Sequence, residues 1–430
     1  MDWTKIPDLL AIAALVGAFY SILRREPEHN DELPGTPFAD SRQWLFSWVL
    51  ILIHFAASMV VVQDNGWGSL VLSITLISLV AAAVEFMRAS VQYRRHISSY
   101  WMSAALGIPP SLFIVLLVLP SAPGWMFAAT SVLIAIGPLL VGLLSPRRLL
   151  GMPRYVVMTL YLLLGTSLLL FAPPRTQDGS FALNAILFTV YFACCFVFWS
   201  NYRKRSSAGS VITVGGFLTW ASVFVIGPVL QMRFPAIHIE SEVWNLPKYV
   251  VAVGMLLLLL ENQIERSQYL ALHDDLTTLA NRRLFQTHLN ECIQRCAESK
   301  KKVGLLQIDL DRFKQVNDLY GHHVGDLLLQ QVADRMRSRI RRGDMLARTG
   351  GDEFSVVLAD LERSEDVEAV ADSLVELLHL PFSVDHHDLH IGASVGSAIY
   401  PDDARDASNL YIAADLRMYE EKELHRGMNA

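Results

Sequence analysis

The sequence predicts two unlike parts: a multi-pass α-helical membrane domain over residues 1–261 and an α+β domain over 276–430, joined by a helical connector at 262–275. Three observations carry this. Apolar runs of near-membrane length crowd the first part, charged residues gather in the second, and from Arg283 onward helical patterns interleave with short strand-like runs. The composition, 52% hydrophobic with a mean hydropathy of +0.33, is too apolar for an ordinary soluble protein. A net charge of -6 gives no reason to expect a nucleic-acid partner.

Nine apolar runs precede Asn262, at about 7–23, 44–63, 67–87, 100–119, 124–144, 155–172, 181–199, 209–231 and 246–261. Each approaches the roughly 20 residues that a helix needs to cross a bilayer. The first is not expected to be a cleaved leader, because Asp2 and Asp8 lie near it and no small-residue cleavage site precedes Arg24-Arg25. Basic residues alternate between loops. Arg24, Arg25, Arg42, Arg88, Arg94, Arg95, Arg147, Arg148, Arg154, Arg203, Lys204 and Arg205 fall in odd loops. Even loops hold Arg175, Arg233 and Lys248, with Lys5 at the N-terminus. This bias places the odd loops and the C-terminal domain in the cytoplasm and the N-terminus outside.

His54 lies inside the second run. Two readings stand for it, a ligand or haem contact and a hydrogen bond across helices. Pro109-Pro110 is expected to break or kink the fourth helix. No paired intramembrane acids and no internal repeat are evident, which gives a transporter little support. Cys194-Cys195 and Cys292/Cys296 show no zinc spacing and read as reduced, structural thiols, with a thiol sensor as the second reading of Cys292 and Cys296.

The ninth run continues without Gly or Pro from Leu257 to His273. Leu257, Leu260, Ile264, Ser267 and Ala271 follow 3-4-3-4 spacing, which fits a short parallel coiled coil or a plain spacer helix. The C-terminal part then reads as a helix 283–299, a strand 303–309, helices 313–319 and 325–341 and a Gly-Gly hairpin entering a strand 354–359. A helix 364–378 capped by Ser364, strands within 382–399 and a last helix 407–424 complete it.

Two acidic clusters stand at strand ends. Asp309-Leu310-Asp311-Arg312-Phe313-Lys314 follows the run Val303–Ile308, and Arg348-Thr349-Gly350-Gly351-Asp352-Glu353-Phe354 opens the next strand. If those strands are neighbours, Asp309 and Asp352 converge, and their oxyanions suit hard Mg²⁺ beside a phosphate-bearing substrate. With Asp274-Asp275-Leu276-Thr277-Thr278-Leu279-Ala280-Asn281-Arg282-Arg283 upstream and Ala414-Asp415-Leu416-Arg417-Met418-Tyr419 downstream, the stretch from about Ala271 to the C-terminus resembles the GGDEF-type diguanylate cyclases. These enzymes join two GTP molecules into cyclic di-GMP.

The resemblance implies a ferredoxin-like, polymerase-palm-like fold, a homodimer with half a site on each domain, and a bacterial inner-membrane protein with a periplasmic N-terminus, membrane lipid around its helices and a cytoplasmic catalytic domain. It implies Mg²⁺ (or Mn²⁺) on Asp309, Asp352, Glu353 and the Leu310 carbonyl, with Asp352 as proton acceptor and Lys314 offsetting transition-state charge. Gly350 and Gly351 would admit phosphates close to backbone. Asn317 and His322 match substrate contacts, and Lys422 and Arg426 match a phosphate-binding pair, although two cations at a helix end also complete its dipole. His425 stands where the family has Gly, and Arg417 where it has a small residue. The Asp326 carboxylate can accept both N1–H and N2–H₂ of guanine and has no such pair with adenine, which argues for two guanines. Arg341 and Asp344 match an inhibitory site for the product cyclic di-GMP, although basic residues at a helix end are also common. No phosphodiesterase domain is expected after the last helix. A non-catalytic cyclic di-GMP receptor is the other reading.

Overall fold

The structure, a computed structural model, describes residues 5–24, 41–60, 66–90, 97–119, 121–144, 153–171, 179–203, 207–236, 241–299 and 301–428. Two compact units divide between Gln263 and Ile264.

Among the described residues the N-terminal unit holds the helices α1 (Ile6–Leu23), α2 (Ser41–Ser58), α3 (Gly66–Ala89), α4 (Ile97–Val118), α5 (Gly124–Leu144), α6 (Pro153–Phe171), α7 (Ser180–Tyr202) and α8 (Ala208–Arg233) and the start of α9 (Ser241–Leu272). Eight of these, all but α2, are long and apolar enough to cross a membrane. The helix α4 runs through Pro109-Pro110 without a break. Their apolar faces meet over aromatic side chains: Trp48 packs edge-on to Phe86, and Phe86 edge-on to Phe217. Three glycines bring α8 and α9 into backbone contact. A Cβ on Gly209 would lie 2.6 Å from Leu258 N, one on Gly216 would lie 2.9 Å from Val251 N, and one on Gly254 would lie 2.6 Å from Thr213 N.

A polar cluster is buried among the described residues of this unit. Asp8 accepts hydrogen bonds from Tyr249 (2.5 Å) and Asn245 (2.6 Å), while Lys248 donates to Asn245 (2.6 Å) and lies 4.6 Å from the Phe55 ring centre. Lys248 was expected as a loop charge. It is instead a buried residue of α9, where aromatic faces and the nearby carboxylate offset the loss of water. Arg154, also expected in a loop, is buried in α6. Of the two readings of His54, the structure shows a cross-helix hydrogen bond, its Nδ1 lying 2.8 Å from the Thr75 carbonyl.

The C-terminal unit begins within α9 and continues through α10 (Arg282–Ser299), β1 (Lys302–Asp311), α11 (Phe313–Tyr320), α12 (His322–Arg337), β2 (Met345–Arg348) and β3 (Glu353–Leu361). It ends with α13 (Glu365–His379), β4 (Phe382–Val384), β5 (His387–Leu389), β6 (Gly392–Tyr400) and α14 (Ala407–Met428). The sheet is antiparallel in order β2-β3-β1-β6, the ferredoxin-like arrangement. Residues two apart in β1 share a face. Leu306, Ile308 and Leu310 pack with α12 and α13, while Val303 and Leu305 pack with α10 and α14. Asp309 and Asp311 therefore face the α14 side.

The helix expected at 325–341 starts earlier, at His322, because Gly321 (φ 86°) turns the chain between α11 and α12, and it stops at Arg337. Ser364 occupies the N-cap position of α13 but makes no capping bond. Its hydroxyl accepts from Lys302 Nζ at 2.8 Å and donates to Asp402 at 3.2 Å. All four cysteines are buried free thiols. Burial pushes the Cys292 thiol above its ordinary range although Arg295 donates to its sulfur at 3.1 Å.

Candidate active site

The site forms where β1 ends and β3 begins. Asp309 is paired in register with Glu353, and the Leu310 N–H donates to the Asp352 carbonyl at 3.2 Å. That pairing sets Asp309, the Leu310 backbone, Asp352 and Glu353 on one sheet edge. The tight turn before Glu353 is closed by the Thr349 N–H (3.0 Å) and Gly350 N–H (3.3 Å), both donating to the Glu353 carbonyl. A Cβ on Gly350 would fall 2.5 Å from the Glu353 carboxylate, whereas one on Gly351 would meet nothing within 4 Å.

Across this edge, Lys422 of α14 brings its Nζ to 2.6 Å from Asp309 Oδ1. Asp309 is nevertheless held above the ordinary carboxylate range, chiefly by burial, with Lys422 opposing and Asp352 and Asp311 adding to the rise. Glu353 is raised by burial and by the charges of Asp309 and Asp352. These carboxylates crowd negative charge around the Lys422 ammonium, an arrangement that a divalent cation would relieve. The donors are all hard oxygens, which fits Mg²⁺ or Mn²⁺. Among the described residues, no group of three or more His, Cys, Asp or Glu side chains is gathered to hold a metal. The Leu310 carbonyl and substrate oxygens would have to complete its shell.

The other expected contacts lie on the elements that follow β1. Arg312 takes a left-handed conformation (φ 62°, ψ 12°) that turns the chain from β1 into α11. Lys314 is exposed on the first turn of α11, and His322 and Asp326 are exposed at the start of α12. Asn317 directs its Oδ1 at Gly325, where a Cβ would lie 1.9 Å away and would displace the amide. That oxygen has no hydrogen-bond partner among the described residues. Arg426 belongs to α14, but its side chain lies outside the described residues.

Arg341 and Asp344 stand apart from this edge. Arg341 donates to Asp344 at 2.9 Å and to the Ala359 carbonyl, and Asp344 accepts the Ala359 N–H at 3.0 Å. Ala359 is six residues along β3 from Glu353, roughly 20 Å away.

Sequence reasoning gave no role to several residues that shape the site. Arg348, just before the diglycine, donates to the Gly351 carbonyl at 2.8 Å and to Asp274 at 3.0 Å. Burial alone would push the Asp274 carboxyl up, but hydrogen bonds from Thr277 and the Arg348 guanidinium outweigh it and hold it below its ordinary range. A depressed carboxylate stabilises the fold above its unfolded pKa of about 4, and that contribution is lost as pH falls through the folded value. Asp274→Asn is therefore expected to lower the thermal midpoint near neutral pH, with the gap to wild type closing as pH drops below about 4. An unchanged gap across a pH series of thermal melts would remove this role. Arg417, the departure from the family's small residue, points outward to Asp403 (2.7 Å) and the Ser397 carbonyl (2.6 Å).

The family described as "Diguanylate cyclase, GGDEF domain" matches residues 271–428. MucR of Pseudomonas aeruginosa, named a bifunctional diguanylate cyclase/cyclic di-GMP phosphodiesterase, is 44% identical over 157 residues, covering 36% of this chain and 23% of MucR. The diguanylate cyclase TpbB of the same species is 37% identical over 156 residues, 36% of each chain. A crystal structure of the TpbB GGDEF domain is 36% identical, with a TM-score of 0.34, and covers 34% of this chain and 92% of that one. Residues 271–428 form a GGDEF domain, and the relatives that match it include proteins named diguanylate cyclase and proteins named cyclic di-GMP phosphodiesterase. The chain spans 23% and 36% of the lengths of MucR and TpbB.

Proposed function

We propose that this chain is a diguanylate cyclase that condenses two GTP into cyclic di-GMP and two pyrophosphate. The observation that carries the reading is the carboxylate edge of Asp309, Asp352 and Glu353 beside the Gly350-Gly351 turn. Asp309, Asp352, Glu353 and the Leu310 carbonyl would hold Mg²⁺ or Mn²⁺, which would neutralise the triphosphate and lower the pKa of the attacking hydroxyl.

Within this reading Asp352 accepts the proton of one nucleotide's 3′-hydroxyl as that oxygen attacks the other's α-phosphate and pyrophosphate departs. Lys314 offsets the charge that develops on the phosphoryl group, and Lys422 with Arg426 binds the phosphates. Asn317, His322 and Asp326 hold the guanine end. Each domain supplies half a site, so a homodimer sets the proximity of the two nucleotides. Residues 1–261 serve as a sensory membrane domain in the bacterial inner membrane, with the N-terminus periplasmic and the GGDEF domain cytoplasmic. Residues 262–275 act as a helical connector. Arg341 and Asp344 form a product site that inhibits the enzyme once their mutual pairing opens.

Turnover of α-labelled GTP by the detergent-purified chain with Mg²⁺ tests the reading, and labelled cyclic di-GMP is the expected product. Absence of product together with cyclic di-GMP binding that Arg341→Ala removes would establish a receptor instead.

A further inference from the structure

His425 lies on the last turns of α14, where its Nδ1 is 3.2 Å from Asp311 Oδ2 and 3.2 Å from Ser394 Oγ. The Ser394 hydroxyl donates to Asp311 Oδ1 at 2.9 Å, so its oxygen remains able to accept. A carboxylate oxygen accepts, so in the tautomer that carries its proton on Nδ1 His425 donates to Asp311, with the Ser394 oxygen as a second acceptor. The seat is closely built, because a Cβ on Gly392 would lie 2.8 Å from Asp311 Oδ2.

Asp309 and Asp311 are two apart on β1 and share a face, and Lys422 and His425 are three apart on α14 and share a face. Helix and strand are therefore joined by two rungs, Lys422–Asp309 and His425–Asp311. The first rung uses the carboxylate assigned to the metal, so a cation there and the Lys422 ammonium compete for it. Lys422 must leave that carboxylate to reach a phosphate. If it were the outermost anchor, its release would let the end of α14 fray. The second rung lies beyond it and does not touch the competing carboxylate.

We propose that His425 is a positioning residue for nucleotide binding, keeping the end of α14 seated on β1 while Lys422 passes from Asp309 to a substrate phosphate. The inference rests on the reading of the domain as a GTP-binding cyclase. It is tested on the full detergent-purified chain with Mg²⁺, as wild type, His425→Ala and His425→Asn, since asparagine restores a side-chain N–H donor. Two readouts are needed. One is the Kd for 3′-deoxy-GTP, which lacks the attacking hydroxyl, beside KM and kcat for GTP. The other is hydrogen exchange of backbone amides over residues 419–428.

The expected result for His425→Ala is a rise of about tenfold in Kd and KM, the scale of a lost hydrogen bond to a charged group. kcat should stay within about twofold, amide exchange should quicken at the end of α14 alone, and His425→Asn should recover most of the affinity. Equal Kd in all three proteins, or an equal loss in the Ala and Asn variants with exchange quickened throughout the domain, overturns the proposal. A wild type that binds 3′-deoxy-GTP yet makes no cyclic di-GMP would sink the cyclase reading instead, and the Kd ratio would still decide the role of His425.

Discussion

Asp352→Ala is expected to lower cyclic di-GMP synthesis by about a thousandfold or more while the chain stays folded. Asp352 sits in the turn that precedes β3, and its backbone carbonyl, which pairs with the Leu310 N–H, survives the substitution. The side chain is only half-buried, so its removal opens no core cavity. What disappears is one oxyanion from the edge assigned to the metal and to the attacking hydroxyl, and loss of a single preorganised group of this kind costs about 10²–10³ in rate. Loss of the proton acceptor adds about 10²–10⁴, although effects at one site do not simply add. Quantifying labelled cyclic di-GMP from equal amounts of folded wild type and variant gives the answer. A variant retaining more than about a tenth of the activity would move proton transfer and metal holding elsewhere.

Gly396→Val is expected to unfold or severely loosen the GGDEF domain. A Cβ there would lie 2.0 Å from the Ala414 carbonyl oxygen and 2.2 Å from the Met418 N, both backbone atoms of α14. Backbone cannot rotate away as a side-chain end can, so α14 must lift from β6. That movement would uncover buried Leu410, Ala414 and Met418 and pull Glu421 from the Val395 N–H that it accepts at 2.7 Å. A loss of about 4 kcal/mol or more follows from overpacking on this scale. For a domain of this size it lowers the Tm by roughly 8–16 °C. Thermal unfolding of the purified chain, followed by protease sensitivity of the C-terminal unit, measures it. Gly351→Val is the control, since a Cβ on Gly351 meets nothing. A Gly396→Val protein melting with wild type would mean that α14 sits further from the sheet.

The C-terminal sheet was legible because its strands are short apolar runs punctuated by turn residues. Val303–Ile308 and the run after Glu353 reveal β1 and β3 directly, and the acids at their ends follow from chain order. The edge strand β2 carries only Met345–Arg348 and was read merely as one side of the hairpin. What pattern reading misses is contact between distant residues. Nothing near Lys422 in the chain reveals that its ammonium lies against Asp309, and nothing near His425 points to Asp311 and Ser394. Lys248 follows Pro247 at the start of an apolar run and reads as an even-loop charge. Only the packed bundle shows its aromatic neighbours and its link to Asp8. Ser364 has the composition of a helix cap, but a lysine and an aspartate from elsewhere in the domain take its hydroxyl first.

The helix α9 is a single element from Ser241 to Leu272, carrying Lys248 in the aromatic and acidic seat near one end. From Met255 to Leu272 it contains neither glycine nor proline, so that length has no built-in joint. A slip of one residue at the seat would shift α9 there by about 1.5 Å and turn its side chains by about 100°. Lys248 would then leave the Phe55 ring and Asn245 its place beside Asp8, so the seat works as a detent that fixes the register of α9 against α1 and α2.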